Sequence, residues 1–192
     1  MKVLLLNGSP HANGCTYTAL CETARALQNN GIQTEIVHLA TNDTPGCKGC
    51  FACRALGKCV IDDQVNQIAE QLQEADGMIL ASPVYFASPN ASFLALLDRL
   101  YAAHGHKLCY KPCGCLVSAR RAGTTAALDA LNKYPLVCEQ PLISSCYWCM
   151  VHGNTPEEVR NDTEGMKITY HLGENMAWLV KALHGVQPPA TH

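Results

Sequence analysis

Lys2-Val3-Leu4-Leu5-Leu6-Asn7, followed by Gly8-Ser9-Pro10-His11-Ala12-Asn13-Gly14-Cys15-Thr16, decides the architecture. The first six residues form a short, nearly continuous apolar run, the pattern of a strand buried on both faces of a parallel sheet. Past the loop, Leu20, Ala24 and Leu27 recur at helical spacing. A loop of Gly, Ser, Asn and Thr between a buried strand and a helix start is built to hold an anion. The first amides of the helix are free, its dipole favours negative charge, and small hydroxyls add donors. The Gly-Lys-Ser/Thr ending of a Walker A loop is absent, and so is G-x-G-x-x-G, which argues against ATP and dinucleotides. A phosphate held without lysine suits a monophosphate. The plain alternative is an ordinary turn with a helix cap.

Outward from this unit the same alternation continues. Strand-like runs at Lys2–Asn7, Ile32–Leu39, Gly77–Ser82, Cys113–Ser118 and about Val137–Cys146 are separated by amphipathic stretches. These carry Val65, Ile68 and Leu72; Phe93, Leu97 and Leu100; Ala127 and Leu131; and finally Leu172, Met176, Leu179, Val180 and Leu183. Strand–helix alternation of this kind gives a doubly wound α/β domain. Asn29-Asn30-Gly31 ends the first helix, Asp62-Asp63 caps the second and Ser88-Pro89-Asn90 opens the third. Residues 1–186 read as a single domain, and 187–192, with Pro188-Pro189, as a loose tail.

Two later turns fall where open α/β sheets bind ligands, outside the carboxyl ends of the strands. After the third strand come Ser82, Pro83, Val84, Tyr85 and Phe86: stiffened by proline, with flat apolar faces and free amides. That combination suits a flavin ring, and simple packing under a helix is the other reading. After the fourth come Ser118, Ala119, Arg120, Arg121, Ala122 and Gly123. The arginines can place positive charge near a flavin's N1–O2 edge or stand as a solvated pair, and the Ala119–Gly123 backbone is the firmer candidate. The sharpest local signal is Cys47-Lys48-Gly49-Cys50-Phe51-Ala52-Cys53, with Cys59 close behind. C-x2-C-x2-C-x5-C is similar to the compact ligand run of 4Fe–4S sites. Zinc and unligated thiols are the alternatives, and disulfides fit a reducing compartment poorly.

Gly8-Ser9-Pro10 with Asn13, Gly14 and Thr16, together with the cysteine loop and the two turns, resembles the flavodoxin-like FMN reductases, a group that includes iron–sulfur flavoproteins. The resemblance runs over nearly the whole chain. It implies a five-stranded parallel sheet in the order 2-1-3-4-5 with helices on both faces. It also implies FMN held by Ser9, His11, Asn13, Gly14, Cys15 and Thr16, by Pro83, Val84, Tyr85 and Phe86, and by Ser118, Ala119, Arg120, Arg121 and Gly123. NAD(P)H would be the co-substrate and a flavin, quinone, other small molecule or redox protein the acceptor. Cys47, Cys50, Cys53 and Cys59 would be ligands where a 4Fe–4S cluster is present; many relatives carry similar cysteines without one. His11 stands where relatives often have a cation and Cys15 where they often have a polar residue. Assembly as a homodimer or homotetramer is implied too, with Phe93–Leu100, Tyr101, Tyr147 and Trp148 as candidate contacts.

Composition limits the alternatives. The 192 residues are 48% hydrophobic and only 16% charged, with net charge -2 and pI near 6.4. This is the material of a core-forming domain and lacks the basic excess of a nucleic-acid binder. No apolar run approaches the ~20 residues of a membrane span, and the Val3–Leu6 run is too short for a signal peptide. A cytoplasmic location is expected, with the twelve cysteines as thiols or metal ligands. Cys113 and Cys115 share one strand face and read as small buried hydrophobes. Cys146-Tyr147-Trp148-Cys149 is formally C-x-x-C, but at the end of a strand it lacks the helix start that activates such motifs. His152, just past that strand, reads as a polar loop residue. Two other classes stay open: an electron carrier of flavodoxin type, which would not turn over NAD(P)H, and a metal- or redox-sensing module without flavin. The weak net charge speaks against a carrier steered by an acidic face.

Overall fold

The computed structural model describes residues 1–39 and 43–189. Strand β1 (Lys2–Asn7) is buried from Val3 onward. It is the axis of a parallel sheet because both edges are paired: β2 (Gln33–His38) runs along one side, with Lys2 opposite Gln33, and β3 (Gly77–Tyr85) along the other, with Val3 opposite Gly77. Strand β5 (Cys113–Ala119), buried along its whole length, pairs with β3 in turn. Between them β4 (Ser88–Pro89) folds back antiparallel onto Val84 and Tyr85. Beyond β5 lie two short parallel pieces, β6 (Leu142–Ile143) opposite Cys113 and Gly114, and β7 (Met150–His152) opposite Val117 to Ala119. The path β2-β1-β3-β5-β6 is the expected flavodoxin-like order, with two fragments sharing the fifth position.

The fifth strand is where expectation and structure part. Val137–Cys146 reads as one strand from its apolar residues, yet α5 (Thr124–Val137) runs through the first of them. Only Leu142 and Ile143 join the sheet there, and the second fragment begins at Met150. Leu136 and Val137 are apolar but 62% and 76% exposed at the helix end. A short apolar run does not distinguish a strand from the last turn of a helix. The Cys146–Cys149 segment therefore lies between two strand fragments rather than after the last strand, and His152 is itself the last residue of β7.

The helices follow their apolar spacing. Helix α1 (Cys15–Asn29) buries Leu20, Ala24 and Leu27; a short α2 (Cys53–Leu56) sits inside the cysteine loop; α3 (Gln64–Glu74) buries Val65, Ile68 and Leu72. Asp63 caps α3 by accepting from the Val65 N–H, and Asn90 caps α4 (Ala91–His104) by accepting from that of Phe93. Helices α6 (Pro156–Asn161) and α7 (Thr163–Leu183) close the chain, and α7 packs along α1. They approach closely because residue 173 is glycine: a Cβ there would stand 2.5 Å from the Thr23 carbonyl and 2.7 Å from Ala26 Cβ. Phe93, Leu97 and Leu100, read above as a contact face between subunits, are buried in this chain's own core. So is Tyr101, whose hydroxyl donates to Gln140 Oε1 at 2.8 Å. Gln187 to Pro189 are exposed and irregular, and the rest of the expected tail lies outside the described residues. No helix among the described residues is long and apolar enough to cross a membrane.

Candidate functional site

The carboxyl ends of β1, β3 and β5 open onto a cleft of about 250 Å³. Its walls are Ser9, His11, Cys15 and Thr16 from the first loop and helix, Pro83, Val84 and Tyr85 from β3, and Ser118, Ala119 and Arg120 from β5 and its turn, with Gly153 and Asn154 beyond β7. Three segments that are remote in sequence meet here because parallel strands deliver all their carboxyl ends to one edge.

The first loop is held by its own polar atoms. Buried Asn7, the last residue of β1, accepts the Ser9 N–H at 3.1 Å and donates to the Ala12 carbonyl at 3.2 Å. Ser9 Oγ accepts from the His11 N–H, and the Ser9 carbonyl accepts from His38 Nε2 at 2.9 Å. His38 therefore carries its proton on Nε2 in this contact. Gly14 caps α1 and brings no side-chain acceptor to its first-turn amides. Thr16 Oγ1 and Ser118 Oγ share a hydrogen bond of 2.8 Å, tying the α1 start to the end of β5. Burial pushes the Cys15 thiol up, against the pull of its own amide and with Glu158 adding to the rise. It is a neutral thiol whose sulfur faces the Gly153 carbonyl at 3.7 Å, not an activated nucleophile.

Ten of the fifteen expected cofactor residues line this cleft, and five stand apart from its wall. Asn13 is exposed and lines a neighbouring groove with Tyr17 and Arg25; Gly14 is the helix cap; Arg121 is exposed. Phe86 lies fully in solvent with φ +51°, beside Ala87 at +59°. Gly123, at φ +88°, lets the α5 start pack on that turn, where a Cβ would come within 2.8 Å of Ala87 Cα. Gly153, Asn154, Asn7 and His38 were not expected. The readable signal for Asn7 is a polar residue ending a wholly apolar strand. Gly153 and Asn154 follow a strand fragment too short to read.

A second cavity, of about 240 Å³, is lined by Cys47, Cys50, Cys53 and Cys59 together with Phe51, Val60, Ile61, Ala102, Ala103 and Arg99. All four cysteines are free, the first two exposed and the others half-buried. Gly49, Phe51 and Gly57 take positive φ (61°, 56° and 68°), so the loop doubles back tightly enough to turn its thiols to one hollow. No three ligating side chains among the described residues are grouped closely enough to hold a metal ion. Beneath the loop Asn66 accepts from the Cys59 N–H and donates to the Cys59 carbonyl, both at 3.0 Å. Its Oδ1 also meets His104 Nε2 at 3.0 Å. Since that oxygen only accepts, Nε2 carries the proton. Burial, with Lys107 and His106 nearby, holds the His104 pKa down against the pull of Glu70, and its Nδ1 is buried without a partner.

Residues 1–155 match the family model described as NADPH-dependent FMN reductase. The chain belongs to that family. Among its relatives, an iron–sulfur flavoprotein of Methanocaldococcus jannaschii is 31% identical over 191 residues, covering 95% of this chain and 99% of that protein. The FMN reductase (NADPH) of Escherichia coli is 35% identical over 101 residues, 52% of this chain and 48% of that one. In solved structures the fold is shared with RosB, crystallised with 8-demethyl-8-formylriboflavin-5′-phosphate, at TM-score 0.77 and 16% identity over 97% of this chain and 81% of that one. Membership makes this a flavin oxidoreductase by family, with the cleft at the strand ends as its candidate flavin site.

Proposed function

We propose that the chain is an FMN-dependent oxidoreductase that oxidises NAD(P)H and passes the electrons to a flavin, quinone or other acceptor, with a 4Fe–4S cluster on Cys47, Cys50, Cys53 and Cys59. The observation that carries the reading is the cleft itself, which gathers a phosphate-type loop, an apolar wall and the β5 turn at one sheet edge. Its residues fit the cofactor. Among the described residues no carboxylate lines it, Arg120 is its one permanently charged wall residue, and the Gly14 cap brings no side-chain acceptor to the first-turn amides. Ser9, Thr16 and the α1 amides would hold the phosphate, Tyr85 and Val84 would flank the ring, and Ser118, Ala119 and Arg120 would face its polar edge. Bound FMN supplies the two-electron chemistry. The protein's part is to bind, and to orient through the Thr16–Ser118 tie. By donor type, number and shared cavity the four cysteines fit the cluster, and closing the loop on it would draw together thiols that already face one hollow.

Exposed Tyr147 and Trp148, each 58% accessible with ring centroids 5.1 Å apart, support a homo-oligomer. The decisive experiment titrates the purified protein with FMN, following quenching of flavin fluorescence, and then assays NADPH and NADH oxidation with a quinone. Saturable one-to-one quenching with turnover of at least one nucleotide is expected. Quenching without turnover would leave an electron carrier, and no quenching would defeat the flavin reading.

A further inference from the structure

Arg99 is the largest fully buried side chain among the described residues, 1% exposed, and it lines the cysteine cavity. A guanidinium is always charged and is found buried only when its donors are matched. Here they are: Nη1 donates to Asp63 Oδ2 at 2.6 Å, and Nη2 to Asp63 Oδ1 at 2.8 Å and to the Ile61 carbonyl at 3.1 Å. Nη1 also reaches the Pro45 carbonyl at 3.4 Å. With the fork committed to Asp63 and to carbonyls on both sides of the cysteine run, the remaining edge is fixed in direction. Its Nε–H donates to Cys59 Sγ at 3.3 Å. A loop anchor would need only the carboxylate and carbonyl bonds. The bond to sulfur aims a buried cation at the one cysteine that lies outside the C-x2-C-x2-C run.

We propose that Arg99, held by Asp63, is a positioning residue for the cysteine site: it fixes the Cys59 sulfur and, through the Nε–H···S bond, raises the reduction potential of the cluster that Cys59 ligates. The tuning half rests on the cluster reading above; the positioning half does not. Hydrogen bonds to ligand sulfurs are a principal control on iron–sulfur potentials, since they stabilise the more negative, reduced state. Arg99 supplies such a bond from a buried side chain whose other donors are already committed.

Two measurements separate the halves. In metal-free protein, the Arg99 Nε–H proton resonance should be resolved and should shift in Cys59→Ala but not in Cys50→Ala. A resonance indifferent to Cys59→Ala overturns the positioning role. In protein reconstituted anaerobically, iron and sulfide are counted and the midpoint potential is followed by electron paramagnetic resonance. This is done for the wild type, Arg99→Lys and the charge-neutral pair Arg99→Gln with Asp63→Asn, the latter guarding against a fold lost to an unpaired carboxylate. A lower midpoint at full iron content supports the tuning. A folded variant that loses iron supports the positioning. A variant with full iron and the wild-type midpoint overturns the tuning alone. A wild type that takes up no iron overturns the cluster reading and the tuning with it, while the resonance still judges the bond.

Discussion

At the scale of single residues, Gly8 shows how one position serves packing and site together. It opens the phosphate-type loop, and its N–H bonds to the Ala81 carbonyl at 2.8 Å. A Cβ there would lie 2.3 Å from Phe93 Cγ, inside the ring that begins α4. Gly8→Ala must therefore push Phe93 or the loop aside. The expected cost is ~1–3 kcal/mol, read as a lower urea midpoint with unchanged slope, together with weaker FMN binding. The presence of a glycine here is legible in the sequence, but its reason is not, because Phe93 is 85 positions away. The same limit hides Arg99, which reads as one charge on an amphipathic helix. Only the fold brings it to Asp63 and Cys59. Residue types in a local loop announce chemistry, and partners supplied by tertiary contact do not.

Among elements, β1, β3 and β5 are readable as apolar runs bounded by turn residues, β2 more weakly through Ile36 and Val37, and the long helices because their apolar positions recur. The fifth strand fails on both counts, being broken into pieces of two and three residues. That break has a chemical consequence for Cys146-Tyr147-Trp148-Cys149. Cys146 is exposed, whereas Cys149 is buried and burial pushes its thiol up to about 12. A thiol so placed is neutral and shielded at pH 7. Brief treatment of the native protein with iodoacetamide should carboxamidomethylate Cys146 and leave Cys149 unmodified by peptide mass. Rapid labelling of Cys149 would restore a redox role to the pair.

For the molecule as a whole, two groups beneath the cysteine cavity make stability depend on acid. His104 has its folded pKa held below the ordinary 6.5 by burial and the neighbouring Lys107 and His106. The unfolded chain therefore binds the proton first, and this contribution is full above 6.5 and lost as pH falls through the folded value. For Asp63, burial alone would raise the pKa, but the bonds from Arg99 and the Val65 N–H outweigh it and hold the carboxyl below its ordinary 3.8. Its contribution is full above 3.8 and lost below that. Stability should be level near neutrality, decline once below about pH 6.5 and again below 3.8. In a chain of this size each kcal/mol lost lowers Tm by ~2–4 °C. His104→Gln should remove the first decline while leaving the second, as followed by thermal melts across pH.

The close crossing of α1 and α7 at Gly173 joins residues near opposite ends of the chain, with Thr23 Oγ1 donating to the Thr169 carbonyl at 3.0 Å. During translation at ~5–20 residues per second, α7 leaves the ribosome roughly 7–27 s after α1. Throughout that interval the face of α1 around Thr23 and Ala26 has no cover. Nascent chains stalled before Gly173 should consequently be the species that chaperones hold, and release should coincide with emergence of the last helix.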